Sequence, residues 1–121
     1  MKFTREISSV TTIRRVSGDA IDIGENRYTQ TIALTPDGLV EGFVPPSLEE
    51  LCVSDFDVLL EDEPELVILG TGATSVFPPR ELTFAFARRR IGLEVMDTAA
   101  AARTFNVLAG EGRRLAAVLY I

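Results

Sequence analysis

The chain contains no histidine and one cysteine, Cys52. Without histidine there is no Ser-His-Asp or Cys-His pair to generate a nucleophile, and the usual zinc sites lose their commonest nitrogen ligand. One cysteine excludes an intramolecular disulfide and a CxxC motif, which fits a reducing compartment. No apolar run approaches the roughly 20 residues of a membrane helix, so the chain is expected not to be membrane-spanning. Met1 to Glu6 has neither the apolar core of a signal peptide nor the Arg-rich, acid-poor character of a transit peptide. The expected location is therefore cytoplasmic. Positive charge is in the minority: 12 Lys and Arg against 18 Asp and Glu leave a formal net charge of -6. Phosphate backbones repel such a chain, so no nucleic acid partner is expected.

The 121 residues, 46% hydrophobic and 25% charged, have the size and balance of a folded domain with one buried core. No repeat, low-complexity tract or linker interrupts them, and residues 1–121 are read as a single domain. The first half reads as strands and turns. Thr12 to Val16 and Ala20 to Ile23 are short β-like runs separated by Ser17-Gly18-Asp19. From Arg27 to Leu34 the residues alternate, with Tyr28, Gln30, Ile32 and Leu34 on one side, which predicts one continuous strand. Thr35-Pro36-Asp37-Gly38 is a turn, and Leu39 to Val44 its hairpin partner, ended by Pro45-Pro46. A short helix is expected from Asp55 to Glu61, capped by Ser54.

The pattern changes at Leu66. Leu66-Val67-Ile68-Leu69 is continuously apolar, as in a strand buried on both faces. Gly70-Thr71-Gly72 reads as a tight loop, and Pro79 suits the first turn of a helix from Glu81 to Arg90 with Leu82, Ala85 and Phe86 inward. Ile91 to Met96 is the next strand. Asp97 or Thr98 caps a helix running to about Ala109 and stopped by Gly110, with Ala101, Phe105 and Leu108 as its core stripe. Arg114 to Ile121 is the last strand. The expected architecture is α/β: a C-terminal β-α-β-α-β unit with at least partly parallel pairing, and N-terminal β-hairpins that either extend its sheet or pack across one end.

Three separated stretches carry a resemblance: Glu65-Leu66-Val67-Ile68-Leu69-Gly70-Thr71-Gly72; Ile91 to Thr98; and Ala101 to Leu108 followed by Glu111-Gly112-Arg113-Arg114. In order and spacing the chain resembles the small α/β family that includes mitochondrial complex I (NADH dehydrogenase) assembly factor 3 and the adipogenesis-associated domain-containing protein. The resemblance implies a compact three-layer α/β fold with a mixed central sheet, no established enzymatic activity and no cofactor. It implies a protein partner, with a role in respiratory complex I assembly as the family's known example. Relatives often carry Cys and Tyr where this chain has Ala102 and Phe105.

Two functional readings follow. The first is a non-enzymatic assembly or adaptor module, motivated by the resemblance and by the missing nucleophile–base pairs; a homo-oligomer stays open. The second is a small-molecule or anion-binding protein, with enzymatic activity left open. Its crevice would lie near Gly70, Thr71 and Gly72, where backbone N–H groups can form an anion nest, and near Asp97 and Thr98 at neighbouring strand ends. Arg103, Thr104, Asn106 and Glu111 would extend it. Each has a structural counterpart. A strand-to-helix turn needs glycine for backbone reasons, and Arg103 with Glu111 can be an internal ion pair. The acidic run Glu61 to Glu65 lacks an EF-hand pattern and reads as a solvated loop, and Arg88-Arg89-Arg90 as compensation of a helix dipole. No metal or catalytic residue is assigned.

Overall fold

The computed structural model describes residues 11–121. Its elements are β1 (Ile13–Val16), β2 (Ile21–Ile23), β3 (Asn26–Tyr28), β4 (Ile32–Thr35) and β5 (Gly38–Leu39), then two 3-10 turns (Leu48–Glu50 and Val53–Phe56) and α1 (Asp57–Leu60). The second half is β6 (Leu66–Thr71), α2 (Arg80–Arg88), β7 (Gly92–Met96), α3 (Thr98–Gly110) and β8 (Leu115–Tyr120). β1, β2 and β3 form an antiparallel meander. The main sheet has the order β5-β4-β8-β6-β7. It is mixed: β6 runs parallel to both β7 and β8, and β4 runs antiparallel to β8.

Alternation along β6 and β8 builds two cores on one sheet. Ile68, Leu115, Ala117 and Leu119 face α3 and the meander, where Ile13, Ile21, Ala101 and Phe105 meet them. Val67, Leu69, Ala116 and Val118 face the other way, onto Leu51, Phe56, Leu59, Leu82 and Phe86. Because both faces are covered, the strands read as unbroken apolar runs. Phe56 and Phe86 stack edge to face with centroids 5.1 Å apart, which joins the second 3-10 turn to α2. This is the expected three-layer α/β fold.

Some expected boundaries move. The continuous strand from Arg27 to Leu34 is two strands in different sheets. β3 pairs with β2 through Tyr28, whereas β4 pairs with β8. Thr29, Gln30 and Thr31 carry no large apolar side chain to bury, so the chain changes sheets there. The hairpin partner of β4 is only Gly38–Leu39, extended by a Val40 N–H to Ala33 C=O bond of 2.8 Å. Ser54 does not cap α1. The segment is instead tightened by the Asp55 carboxylate, which accepts the Cys52 N–H at 2.9 Å. Gly110 lies inside α3, and the chain turns out of the helix at Gly112, whose φ of 80° is the left-handed conformation glycine tolerates.

Gly70 and Thr71, expected in a loop, are the last two residues of β6. Gly70 has no positive φ; packing requires it. A Cβ there would stand 2.9 Å from Thr98 Oγ1, closer than such atoms approach, and a tight 3.0 Å from Thr98 Cα. The missing side chain lets the start of α3 sit directly on β6.

Candidate functional site

The C-terminal ends of β6, β7 and β8 bring together Gly70, Thr71, Gly72, Asp97 and Thr98, five of the residues marked by sequence. Thr98 is the hub and is 2% exposed. Its hydroxyl accepts the Gly72 N–H at 2.8 Å and donates to the Tyr120 C=O. Its own N–H donates to the Gly72 C=O at 2.9 Å. Gly72 can close this reciprocal pair because it adopts a φ of 99°. The Asp97 carboxylate caps α3 by accepting the Ala100 N–H at 2.9 Å. The N–H groups of Gly72 and Thr98 are thus spent within the protein, and a carboxylate sits beside them. A crevice of about 200 Å³ opens here, between Gly72, Asp97 and Tyr120 on one side and Val16 to Gly18 on the other.

Thr71 organises the loop that leaves the sheet. Its hydroxyl donates to the Thr74 C=O at 2.6 Å and accepts the Val76 N–H at 3.1 Å. The next residue, Phe77, is 95% exposed, with Val76 and Phe84 about half exposed. Val44, before Pro45, is 86% exposed, while Phe43 packs against the second core. Sequence reading left Phe77 unmarked. The available signal was an aromatic immediately before Pro78-Pro79, where no regular element can bury it.

The remaining marked residues lie along α3 and do not join the Gly72 crevice. Asn106 bonds both backbone groups of Ile13: its Oδ1 accepts the Ile13 N–H at 2.9 Å, and its Nδ2 donates to the Ile13 C=O at 2.8 Å. The amide thereby imitates a neighbouring strand and fastens the meander to α3. Thr104 Oγ1 lies 3.4 Å from Met96 Sδ. Arg103 and Glu111 are exposed, and among the described residues they do not pair. They are separated by more than two helical turns, with Glu111 just past the far end of α3. The pair that ties the start of β6 to that of β8 is Arg113 Nε to Glu65 Oε1 at 2.8 Å.

The electrostatics are those of a stabilised surface. The hydrogen bond from Arg113 holds the Glu65 carboxyl below its ordinary range, and that from Arg27 does the same for Asp22. Burial raises the Tyr120 phenol to about 12, with the charges of Asp55 and Glu49 adding to the shift. That phenol donates to the Pro46 C=O at 2.9 Å. Cys52 is exposed, its sulfur 3.1 Å from Ser54 Oγ. Among the described residues no group of three or more Cys, Asp or Glu is placed to hold a metal ion, and no helix is long and apolar enough to cross a membrane.

Comparison with known proteins places this geometry in a family. Residues 13–120 match the model of a protein family of unknown function, DUF498/DUF598, and the chain belongs to it. It is 32% identical over 117 residues to the Danio rerio protein named NADH dehydrogenase (ubiquinone) 1 alpha subcomplex assembly factor 3, covering 95% of this chain and 67% of that one. It is 26% identical over 72 residues to a Francisella tularensis protein named 13 kDa major membrane protein, covering 60% of this chain and 58% of that one. The chain thus spans about three-fifths to two-thirds of these relatives. Among solved structures, one from Xanthomonas campestris superposes with a TM-score of 0.86 at 38% identity, covering 100% of this chain and 92% of that one.

Proposed function

We propose that this DUF498/DUF598 member is a protein-interaction module of the assembly-factor type, which holds a partner and does not turn over a substrate. One observation carries the reading: Phe77 is 95% exposed on a loop whose preceding residues are tied down by the Thr71 hydroxyl. A large apolar side chain presented by an ordered loop is how protein interfaces place their anchors. Burying such a ring is worth about 1.5–3 kcal/mol, a gain that folding leaves unused and a partner can collect. Thr71, Asp97 and Thr98, which suggested a ligand crevice, are by contrast engaged in holding α3 and the loop to the sheet. The similarity to complex I assembly factor 3 supports extending the proposal to respiratory complex I biogenesis.

The test is affinity capture of the tagged chain from the cytosolic and the detergent-solubilised membrane fractions of its source. Both fractions are needed because the sequence points to the cytoplasm while one relative is named a membrane protein. A defined partner should accompany the wild type and be lost with Phe77→Ser. The melting temperature of that variant should stay within about 1 °C, because the side chain touches little of the fold. Capture that survives Phe77→Ser removes the anchor and, with it, the observation on which the reading stands.

A further inference from the structure

The structure carries a second recognition feature on the α3 side of the main sheet. A groove of about 230 Å³ runs between β1 and α3, and Arg14, Arg15 and Arg103 line it. Sequence separates these arginines by almost ninety positions. Two structural devices bring them together. The first is a bulge in β1: Ile13 stands opposite Ile23 and Arg15 opposite Asp22, so Arg14 is an extra residue. In a regular strand neighbouring side chains face opposite ways, whereas a bulge re-aims them, and Arg14 and Arg15 here border both this groove and the depression beside Asp22. The second is the Asn106 clamp on Ile13, one helical turn beyond Arg103, which fixes β1 beside that part of α3.

Of the three, Arg103 has no partner among the described residues, while Arg14 and Arg15 also border the depression that holds Asp22 and Glu25. All three arginines are exposed. Arg14 gives one N–H to the Gly24 C=O at 2.9 Å, and neither Arg15 nor Arg103 forms an ion pair among the described residues. The acids nearby are Asp22 and Glu25, in the adjoining depression; Asp22 is held by Arg27 at 2.8 Å, and the charges of Arg15 and Arg14 act on it as well. The floor between the arginines is small and apolar, formed by Val16, Ala99 and Ala102. Ala99 and Val16 also border the Gly72 crevice, so the groove continues toward the loop that presents Phe77.

We propose that this groove takes an acidic peptide segment of the partner protein, its carboxylates meeting Arg15 and Arg103 from the two walls and its backbone lying over the two alanines. The assignment rests on the protein-interaction reading and names the chemistry of what is held. Planar guanidinium groups suit carboxylates, and small side chains allow a backbone to approach. A nucleic acid fits less well. The groove holds no aromatic side chain for a base to stack on, and the chain's net charge of -6 opposes a long polyanion.

The test titrates a capped hexapeptide of glutamate and alanine into the purified full chain at about 25 mM salt and follows backbone amide shifts. Amides of Arg14, Arg15, Ala99 and Arg103 should move. Affinity should fall roughly tenfold in the Arg15→Gln/Arg103→Gln double variant, and by a similar factor between about 25 and 300 mM salt, as exposed pairs are screened. Arg113→Gln, at the far end of α3 and already paired, is the charge control and should change affinity less than about twofold. Shifts elsewhere, an equal loss in Arg113→Gln, or tighter binding of an oligothymidylate at the same amides overturns the proposal. Inorganic phosphate matching the peptide's affinity and shifts overturns it as well. Purified protein alone is used, so a flat titration removes the groove while partner capture continues to test the function. A groove-dependent titration with no captured partner removes the function and leaves the groove.

Discussion

Replacing Asn106 with alanine tests how the meander is joined to α3. The side chain makes two hydrogen bonds, at 2.9 and 2.8 Å, to the backbone of Ile13, a residue that β1 presents at the edge of the meander. Each such bond contributes about 0.5–1.5 kcal/mol net, and more where the abandoned group cannot reach water. A loss of about 2–3 kcal/mol is expected from the pair. Against it stands the better helix propensity of alanine, worth about 0.5 kcal/mol inside α3. Bond loss wins, leaving about 2 kcal/mol of net destabilisation. For a chain of this size that lowers the melting temperature by roughly 6–10 °C. Thermal and urea denaturation measure the total, and hydrogen exchange locates it: the Ile13 amide should lose protection before the amides of β6 and β8.

Asn106→Asp sharpens the argument. The carboxylate keeps the acceptor for the Ile13 N–H but loses the donor and sets a negative oxygen against the Ile13 C=O. At neutral pH the variant should be at least as unstable as the alanine variant. A protonated carboxyl regains a donor, so its folded pKa must lie above the unfolded value of about 3.9. The deficit is then full above the folded pKa and shrinks as pH falls toward the unfolded one. An alanine variant within about 2 °C of the wild type, or an Ile13 amide that keeps its protection, would refute the clamp.

Two further substitutions test the C-terminal edge of the sheet. Gly70→Ala places a Cβ 2.9 Å from Thr98 Oγ1 and 3.0 Å from its Cα, so overpacking should cost about 1–3 kcal/mol by urea denaturation. A Gly70→Ala protein as stable as the wild type would show that α3 does not rest directly on β6. Tyr120→Phe removes the phenol whose folded pKa is raised to about 12, mainly by burial. Between the unfolded value of about 10 and about 12 the unfolded chain releases this proton first, so the tyrosine's contribution is full below pH 10 and is lost as pH rises through that window. Stability measured from pH 9 to 12 should therefore fall less steeply in Tyr120→Phe than in the wild type, and parallel curves would count against the assignment.

The fold was legible where hydrophobic pattern decides it. Val67, Ile68 and Leu69 are 0% exposed, as an unbroken apolar run requires, and Leu82, Ala85 and Phe86 are the inward face of α2. Pattern failed where two neighbouring segments share a period but not a sheet. Nothing in the alternation from Arg27 to Leu34 says that Tyr28 and Ile32 pair with different strands; that is settled by β2 and by β8, ten or fewer residues before and more than eighty after. The site was legible as a set of residue types and misleading as to use. Gly70 and Gly72 were marked together, yet one is needed for contact with Thr98 and the other for its φ of 99°. In sequence Glu111, just past the helix, reads as an internal partner for Arg103, but the two lie more than two turns apart and the pair formed at that end is Arg113 with Glu65. The grouping of Arg103 with Arg14 and Arg15 depends on a bulge, which period-two reading cannot detect.

Asn106 connects the seam to the proposed recognition groove. Arg14 and Arg15 belong to the meander and Arg103 to α3, so their mutual spacing is set by how firmly the two bodies are joined. The clamp is the side-chain contact that joins the backbone of β1 to α3, one residue from Arg14. Losing it leaves every charge in place but lets the two walls of the groove move apart. If an acidic segment is recognised by arginines on both walls acting together, Asn106→Ala should weaken the peptide even well below its melting temperature. If recognition is only long-range attraction to positive charge, the same variant should bind as the wild type does, because attraction of that kind is insensitive to an ångström of spacing. The seam residue thus separates a shaped site from a merely basic surface, a distinction that arginine substitutions alone cannot make.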